Sequence, residues 1–62
     1  MSAIERTVLV LLPTPLSVAE IAAHLRISDT AAREHIRSVY RALRVSSRRT
    51  AVWEAQDRGL LP

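Results

Sequence analysis

Three arginines at four-residue spacing are the side chains of this sequence whose type and arrangement best suit a defined chemistry. Arg33, Arg37 and Arg41 would share one side of a helix, because a helical turn takes 3.6 residues. Each guanidinium offers paired donors that match a phosphate group or the N7 and O6 atoms of guanine. This basic ridge indicates nucleic-acid binding, and the alternative from the residues alone is a solvated helix face.

The positive charge of the chain is concentrated around the basic ridge. All nine basic residues are arginines, and the net charge is +3. Between Arg26 and Arg49 there are seven arginines against two acidic residues, a local charge of +5, so the rest of the chain is slightly acidic. Such polarisation is the usual electrostatic footprint of a protein that binds DNA or RNA.

Length and composition limit the class of protein. A chain of 62 residues holds one domain, here residues 1–62, and leaves little material for a substrate cleft, so we expect no enzyme. The apolar residues are mostly Ala, Val and Leu, with one glycine, which favours an all-α fold. There is no cysteine, so stability must come from helix packing, and the chain suits a reducing cytoplasm.

Metal, cofactor, nucleophile and membrane sites are not predicted. His24 and His35 have no third ligand nearby in sequence, which favours surface or packing roles over metal binding. Ser28, Ser46 and Ser47 are predicted to cap helices rather than to act as nucleophiles. The longest apolar run, Val8–Leu12, is too short to cross a bilayer, and no signal peptide precedes it, so we expect a soluble protein.

Cap signals divide the chain into the four helices of a compact bundle. Ser2 with Glu5 and Ser17 with Glu20 form capping boxes, and two prolines at positions 13 and 15 separate the helices that these boxes begin. Ser28 is the predicted cap of the third helix. The predicted helices cover about 3–12, 18–25, 29–43 and 48–58.

The connection between the second and third helices is about three residues, which predicts a helix-turn-helix. Beyond the third helix, Arg44–Ser47 is predicted to form a turn that supplies the next N-cap. Gly59 is the predicted C-cap of the fourth helix, with Leu60 or Leu61 folding back to seal the end. The apolar face of the third helix is predicted to comprise Ala32, Ile36, Val39, Tyr40 and Leu43.

The order and spacing of four segments resemble a known family. Leu16–Ala22, Ile27–Ser28, Tyr40–Leu43 and Val45–Arg48 together resemble the LuxR-type (GerE/FixJ-like) C-terminal helix-turn-helix domain of bacterial transcription regulators. The fourth region of bacterial sigma factors shares the middle helices, but Val45–Arg48 followed by a fourth helix favours the LuxR type. The preceding Leu11–Thr14 is similar to the MalT-like group of large ATP-binding regulators.

The resemblance implies sequence-specific binding of double-stranded DNA, with the third helix in the major groove. By this resemblance Arg33, Glu34 and Arg37 read bases, although Glu34 could instead form an intrahelical ion pair. The fourth helix would join two protomers into a homodimer on DNA through Val52, Trp53 and Gln56, although Trp53 could instead cover the edge of its own core. The residues implied to contact phosphates are Ser17, Ser28, Arg41, Arg44, Arg48 and Arg49.

The chain departs from the family pattern at several positions. Ala31 and Ala32 replace the usual Thr and Val, which removes a phosphate-contacting hydroxyl and shrinks a core side chain. Arg26 replaces a large apolar residue in the turn, and Arg44 replaces a glycine, which predicts strain if that position needs a positive φ. The rival hypothesis is a protein-interaction or dimerisation module, docking on RNA polymerase or a regulatory domain, with weak or no DNA binding.

Overall fold

Four α-helices and no strands make up the computed structural model, which describes all residues from Met1 to Pro62. The helices are α1 (Ala3–Leu11), α2 (Val18–Leu25), α3 (Asp29–Leu43) and α4 (Arg48–Asp57). The all-α, four-helix prediction is confirmed. The predictions for the ends of α1 and α4 were one residue too long, because residues 12 and 58 are the C-caps of these helices.

Serine begins every helix. The Ser2 and Ser17 hydroxyls accept the backbone N–H three residues later, and the Glu5 and Glu20 carboxylates accept the cap N–H in return, so both predicted capping boxes are confirmed. The Ser28 hydroxyl accepts the Ala31 N–H at 3.0 Å. Ser47 caps α4 in the same way, as the sequence predicted for this turn.

Three helices end in a left-handed residue. The φ of Arg44 is 57°, which meets the condition under which strain was expected at this position, and Arg26 has the same value at the end of α2. A side chain in this region costs roughly 1–2 kcal/mol relative to glycine, so both turns are strained. The C-cap of α4 is Arg58, so the predicted C-cap Gly59 lies one residue beyond it, with a φ of 72°. Leu61, not Leu60, is the residue that folds back into the core.

Helix α3 is the centre of the domain, since α1, α2 and α4 all pack against it. Its predicted apolar face is buried at four positions, and Tyr40 is half-buried at the edge. Ile21 and Ala22 of α2 are buried, as is Ala32 on α3. The main cluster consists of Val8, Leu9, Leu12, Ile36, Val39, Leu43, Ala51, Ala55 and Leu61.

A side chain of α4 fixes the carboxyl end of α3. The Arg58 guanidinium donates from Nη2 to the Leu43 carbonyl at 3.2 Å and from Nε to Glu54 at 2.8 Å. The last carbonyls of a helix have no intrahelical donor, so this contact satisfies one of them. No helix of the domain has the length and apolar character needed to cross a membrane.

Candidate nucleic-acid interface

The basic ridge is exposed along the outer side of α3. Arg33, Arg37 and Arg41 are all exposed, while Ile36 and Val39 on the opposite side are buried. Within the chain, ion pairs join only His35 to Glu5 and Arg58 to Glu54. The three guanidinium groups of the ridge therefore keep their charge available for an external anion.

Glu34 lies beside the ridge and is also exposed. No cation of the chain lies within ion-pair distance of its carboxylate, so the intrahelical pair considered from the sequence is not formed. It lies in the second turn of α3, next to Arg33 and one turn before Arg37, which is near the middle of the helix. The structure thus brings the three predicted base-reading residues together on one exposed surface.

Two further arginines extend the positive surface beyond α3. Arg44 is exposed in the left-handed turn that ends the helix. Arg49 is exposed in the first turn of α4, with its guanidinium carbon 5.9 Å from the centre of the Trp53 ring. This cation–π contact restricts the Arg49 side chain without neutralising its charge.

The capping serines lie at the exposed amino ends of the helix-turn-helix. The Ser17 and Ser28 hydroxyls each accept an N–H of their own helix, at 3.1 and 3.0 Å, which leaves the hydroxyl proton free to be donated. The first amides of a helix lack intrahelical acceptors and bear partial positive charge, so they suit a phosphate oxygen. Both ends can therefore donate to an anion.

Arg48 lies apart from the other predicted phosphate contacts because it is half-buried. Its guanidinium donates to the carbonyls of Leu11, Leu12 and Thr14, at the carboxyl end of α1 and in the loop after it. Only Nη1 makes no hydrogen bond within the chain. Nothing in the sequence pattern indicated this contact, since its partners are more than thirty residues away.

A polar cluster between α1 and α3 was also missed from the sequence. Glu5 Oε2 lies 3.7 Å from His35 Nδ1. A hydrogen bond from Ser38, assisted by those from Ser2 and His35, lowers the pKa of Glu5 from 4.5 to about 2. In the second capping box, hydrogen bonds from Ser17 lower the pKa of Glu20. Burial raises the pKa of Tyr40, which Arg48 partly offsets.

The Glu5 cluster makes a prediction for acid unfolding. A carboxylate whose pKa is lower in the folded state stabilises the fold above its unfolded pKa, near 4.5, and that stability is lost as the pH falls toward 2. Glu5→Gln should therefore lower the free energy of unfolding at pH 7 and flatten its decline between pH 4.5 and 2. Urea unfolding monitored by circular dichroism at several pH values measures both effects.

The matched control for that prediction is Glu34→Gln, which removes an exposed carboxylate that has no ion pair in the chain. This variant should keep the wild-type acid dependence. If the Glu5→Gln variant retained the full loss of stability between pH 4.5 and 2, the lowered pKa of Glu5 would not be a source of acid sensitivity.

The predicted dimer residues share one open groove. Val52, Trp53 and Gln56 line it together with Leu12 and Pro13 from the end of α1. Trp53 is 57% exposed, so more than half of its surface is open to solvent. Arg48 and Arg49 also line the groove, so its surface is partly apolar and partly basic.

His24 is exposed, and His35 is engaged with Glu5. No group of three or more His, Cys, Asp or Glu side chains is close enough to hold a metal ion. The arrangement at the surface is thus one of arginines, serine caps and helix ends. These groups bind anions through charge and hydrogen bonds.

The exposed arginine-bearing α3, joined to α2 by a three-residue turn and supported by α1 and α4, is the arrangement of a helix-turn-helix DNA-binding domain. The family model described as "Bacterial regulatory proteins, luxR family" matches residues 1–55. The chain belongs to this family, and it is a DNA-binding domain of the kind found in bacterial transcription regulators. This is a class that is typically not enzymatic.

A solved structure agrees with this assignment. The chain is similar to the structure of the transcription factor GerE, with a TM-score of 0.88 and 32% sequence identity. The similarity covers 100% of this chain and 92% of that one. No curated protein gives a significant match to the chain. The LuxR-type resemblance is confirmed at the level of the family and the fold.

Proposed function

We propose that α3 enters the major groove of double-stranded DNA and that Arg33, Glu34 and Arg37 read the base edges. The observation that carries this proposal is that the three side chains are exposed, free of ion pairs and grouped between positions 33 and 37, from the second turn to the middle of α3. A recognition helix presents its readers from its amino-terminal part. Each arginine can hold a guanine through N7 and O6, and the carboxylate of Glu34 can accept from a cytosine amino group.

The surrounding groups bind the DNA backbone and set the position of α3. Arg41, Arg44 and Arg49 are exposed cations, and the amino ends of α2 and α3 carry free donors. Contacts of this kind supply affinity and register but no sequence preference. The proposed phosphate-contacting set is Ser17, Ser28, Arg41, Arg44, Arg48 and Arg49, with Arg48 limited to the donors of Nη1.

Two copies of the domain bind an inverted repeat as a homodimer. Val52, Trp53 and Gln56 form the contact, and the support for it is their shared groove and the exposure of Trp53. An exposed aromatic side chain is the kind of residue that anchors a protein interface. The two-fold symmetry of such a pair is matched by two half-sites on the DNA.

The finer assignment is to the MalT-like group of large regulators, and its support is the segment Leu11–Thr14 between α1 and α2. In such a regulator the domain would act by binding DNA, without catalysing a reaction. It would do so in the cytoplasm, where bacterial DNA lies. A regulatory domain of the same protein, or RNA polymerase, would be its protein partner.

The dependence of DNA affinity on salt tests this function. Three exposed phosphate-contacting arginines predict that log K falls with log salt with a slope of about −3 per protomer. Fluorescence anisotropy with a labelled mixed-sequence duplex, from low to high salt, measures the slope. Binding that is insensitive to salt, or no binding at low salt, would favour the rival protein-interaction module.

A further inference from the structure

The hydrogen bonds of Arg48 connect two parts of the chain that are far apart in sequence. Nε donates to the Leu12 carbonyl at 2.8 Å, and Nη2 donates to the carbonyls of Thr14 at 2.9 Å and Leu11 at 3.3 Å. These atoms form one edge of the planar guanidinium, which lies against the end of α1. The first residue of α4 thus holds both the carboxyl end of α1 and the loop after it.

This loop has few other means of staying in place. Pro13 and Pro15 have no backbone N–H to donate. The other hydrogen bonds of the loop are local, such as Leu16 N–H to the Thr14 hydroxyl at 3.3 Å. No hydrogen bond other than those of Arg48 joins it to a distant part of the chain. The loop leads directly into Ser17, the cap of α2.

We propose that Arg48 is a positioning residue for DNA binding, which fixes the amino end of α2 against the DNA backbone by holding the α1–α2 loop. The proposal rests on the function proposed above, in which Ser17 and the first amides of α2 contact a phosphate. It assigns the effect of Arg48 on DNA affinity to its hydrogen bonds inside the protein, in place of the phosphate contact proposed for Arg48 above. These three hydrogen bonds, the Arg48 clamp, join the end of α1 and the α1–α2 loop to α4, the helix that carries the proposed dimer surface.

A positioning role and a direct phosphate contact predict different effects of substitutions. If Arg48 contacts a phosphate directly, its loss removes one cation from the interface, and the magnitude of the slope of log K against log salt falls by about 0.9. Its effect on the binding free energy then adds to the effects of substitutions elsewhere. A lost clamp displaces uncharged donors of α2, so the salt slope is unchanged. Its effect on affinity should also shrink when the Ser17 hydroxyl is already gone, because only the amide contacts of α2 remain to be displaced.

A double-mutant cycle with Arg48→Ala and Ser17→Gly on a labelled mixed-sequence DNA duplex tests the proposal. Glycine is tolerated as an N-cap but has no hydroxyl, so Ser17→Gly removes the contact with little loss of helix stability. We expect Arg48→Ala to weaken binding about tenfold in the wild-type background and much less in the Ser17→Gly background. Amide hydrogen exchange at Leu16 and Ser17 should be faster in the free Arg48→Ala protein.

Three further variants make the result specific. Arg48→Lys keeps the positive charge but lacks the paired donors of the guanidinium, so it should bind DNA as weakly as Arg48→Ala. If Arg48→Ala does not fold, Arg48→Lys replaces it in the double-mutant cycle. Arg49→Ala should lower the salt slope and add to Ser17→Gly. Leu61→Ala controls for loss of stability, because Leu61 is a buried core residue in the carboxyl-terminal tail. It should lower the free energy of unfolding without changing DNA affinity at temperatures where the variant is folded.

Additive effects of Arg48→Ala and Ser17→Gly, a salt slope reduced by about 0.9, or wild-type affinity of Arg48→Lys would each overturn the proposal while leaving DNA binding intact. If the wild-type domain did not bind the duplex at low salt, the function proposed above would fail, and the positioning role would fail with it. The two failures are therefore distinguishable by the wild-type titration alone.

Discussion

Replacing Arg37 with alanine should weaken binding to the preferred DNA sequence about 10- to 100-fold and leave binding to unrelated DNA almost unchanged. Arg37 is exposed at the middle of the basic ridge and has no partner within the chain. A guanidinium that holds a guanine edge contributes to discrimination at one base pair. The variant should therefore accept other bases at one position of the site and keep its preferences elsewhere.

The measurement is the affinity of both proteins for a panel of duplexes that differ by single base pairs. Arg41→Ala is the matched control, because Arg41 lies one turn further along the same ridge and is proposed to contact phosphate. It should weaken binding to all duplexes by a similar factor. Equal, sequence-independent losses from Arg37→Ala and Arg41→Ala would contradict the assignment of Arg37 as a base reader.

Trp53→Ala should cost about 100-fold in affinity for a duplex that carries both half-sites, while affinity for a single half-site stays within about twofold. The reason is that two protomers joined through α4 bind the second half-site as an intramolecular event. Trp53 is 57% exposed, so its removal should leave the fold intact. Titrations of the two duplexes, with circular dichroism to verify folding, measure the effect.

Val10→Ala is the control for Trp53→Ala, since Val10 is an apolar residue of similar exposure that lies on α1, outside the proposed dimer groove. It should bind both duplexes as the wild type does. Loss of affinity for the single half-site by Trp53→Ala would instead indicate a direct DNA role, for example through the released Arg49 side chain.

The helices could be predicted from the sequence because their signals are local. A serine and a glutamate three residues apart fix the beginning of α1 and of α2 within one turn of chain. The apolar period of α3 likewise separates the buried side from the basic ridge. The resemblance drew attention to Arg44, where the family has glycine, and the structure gives this residue a positive φ.

The contacts that connect distant segments could not be predicted in this way. The cluster of Glu5 with His35 and Ser38 depends on how α1 crosses α3, which no local pattern specifies. The bonds of Arg48 depend on the position of α4 against the end of α1. In sequence Arg48 resembled the exposed arginines around it, and only its burial in the fold separates it from them.

The measurement that tests the central claim most directly is selection of bound sequences from a random pool of double-stranded DNA, at two salt concentrations. A sequence-specific reader of the major groove predicts enrichment of a short motif, with two inverted half-sites, that persists at the higher salt while total binding falls. If the folded protein enriched no sequence at either salt concentration, the assignment of α3 as a recognition helix would be contradicted.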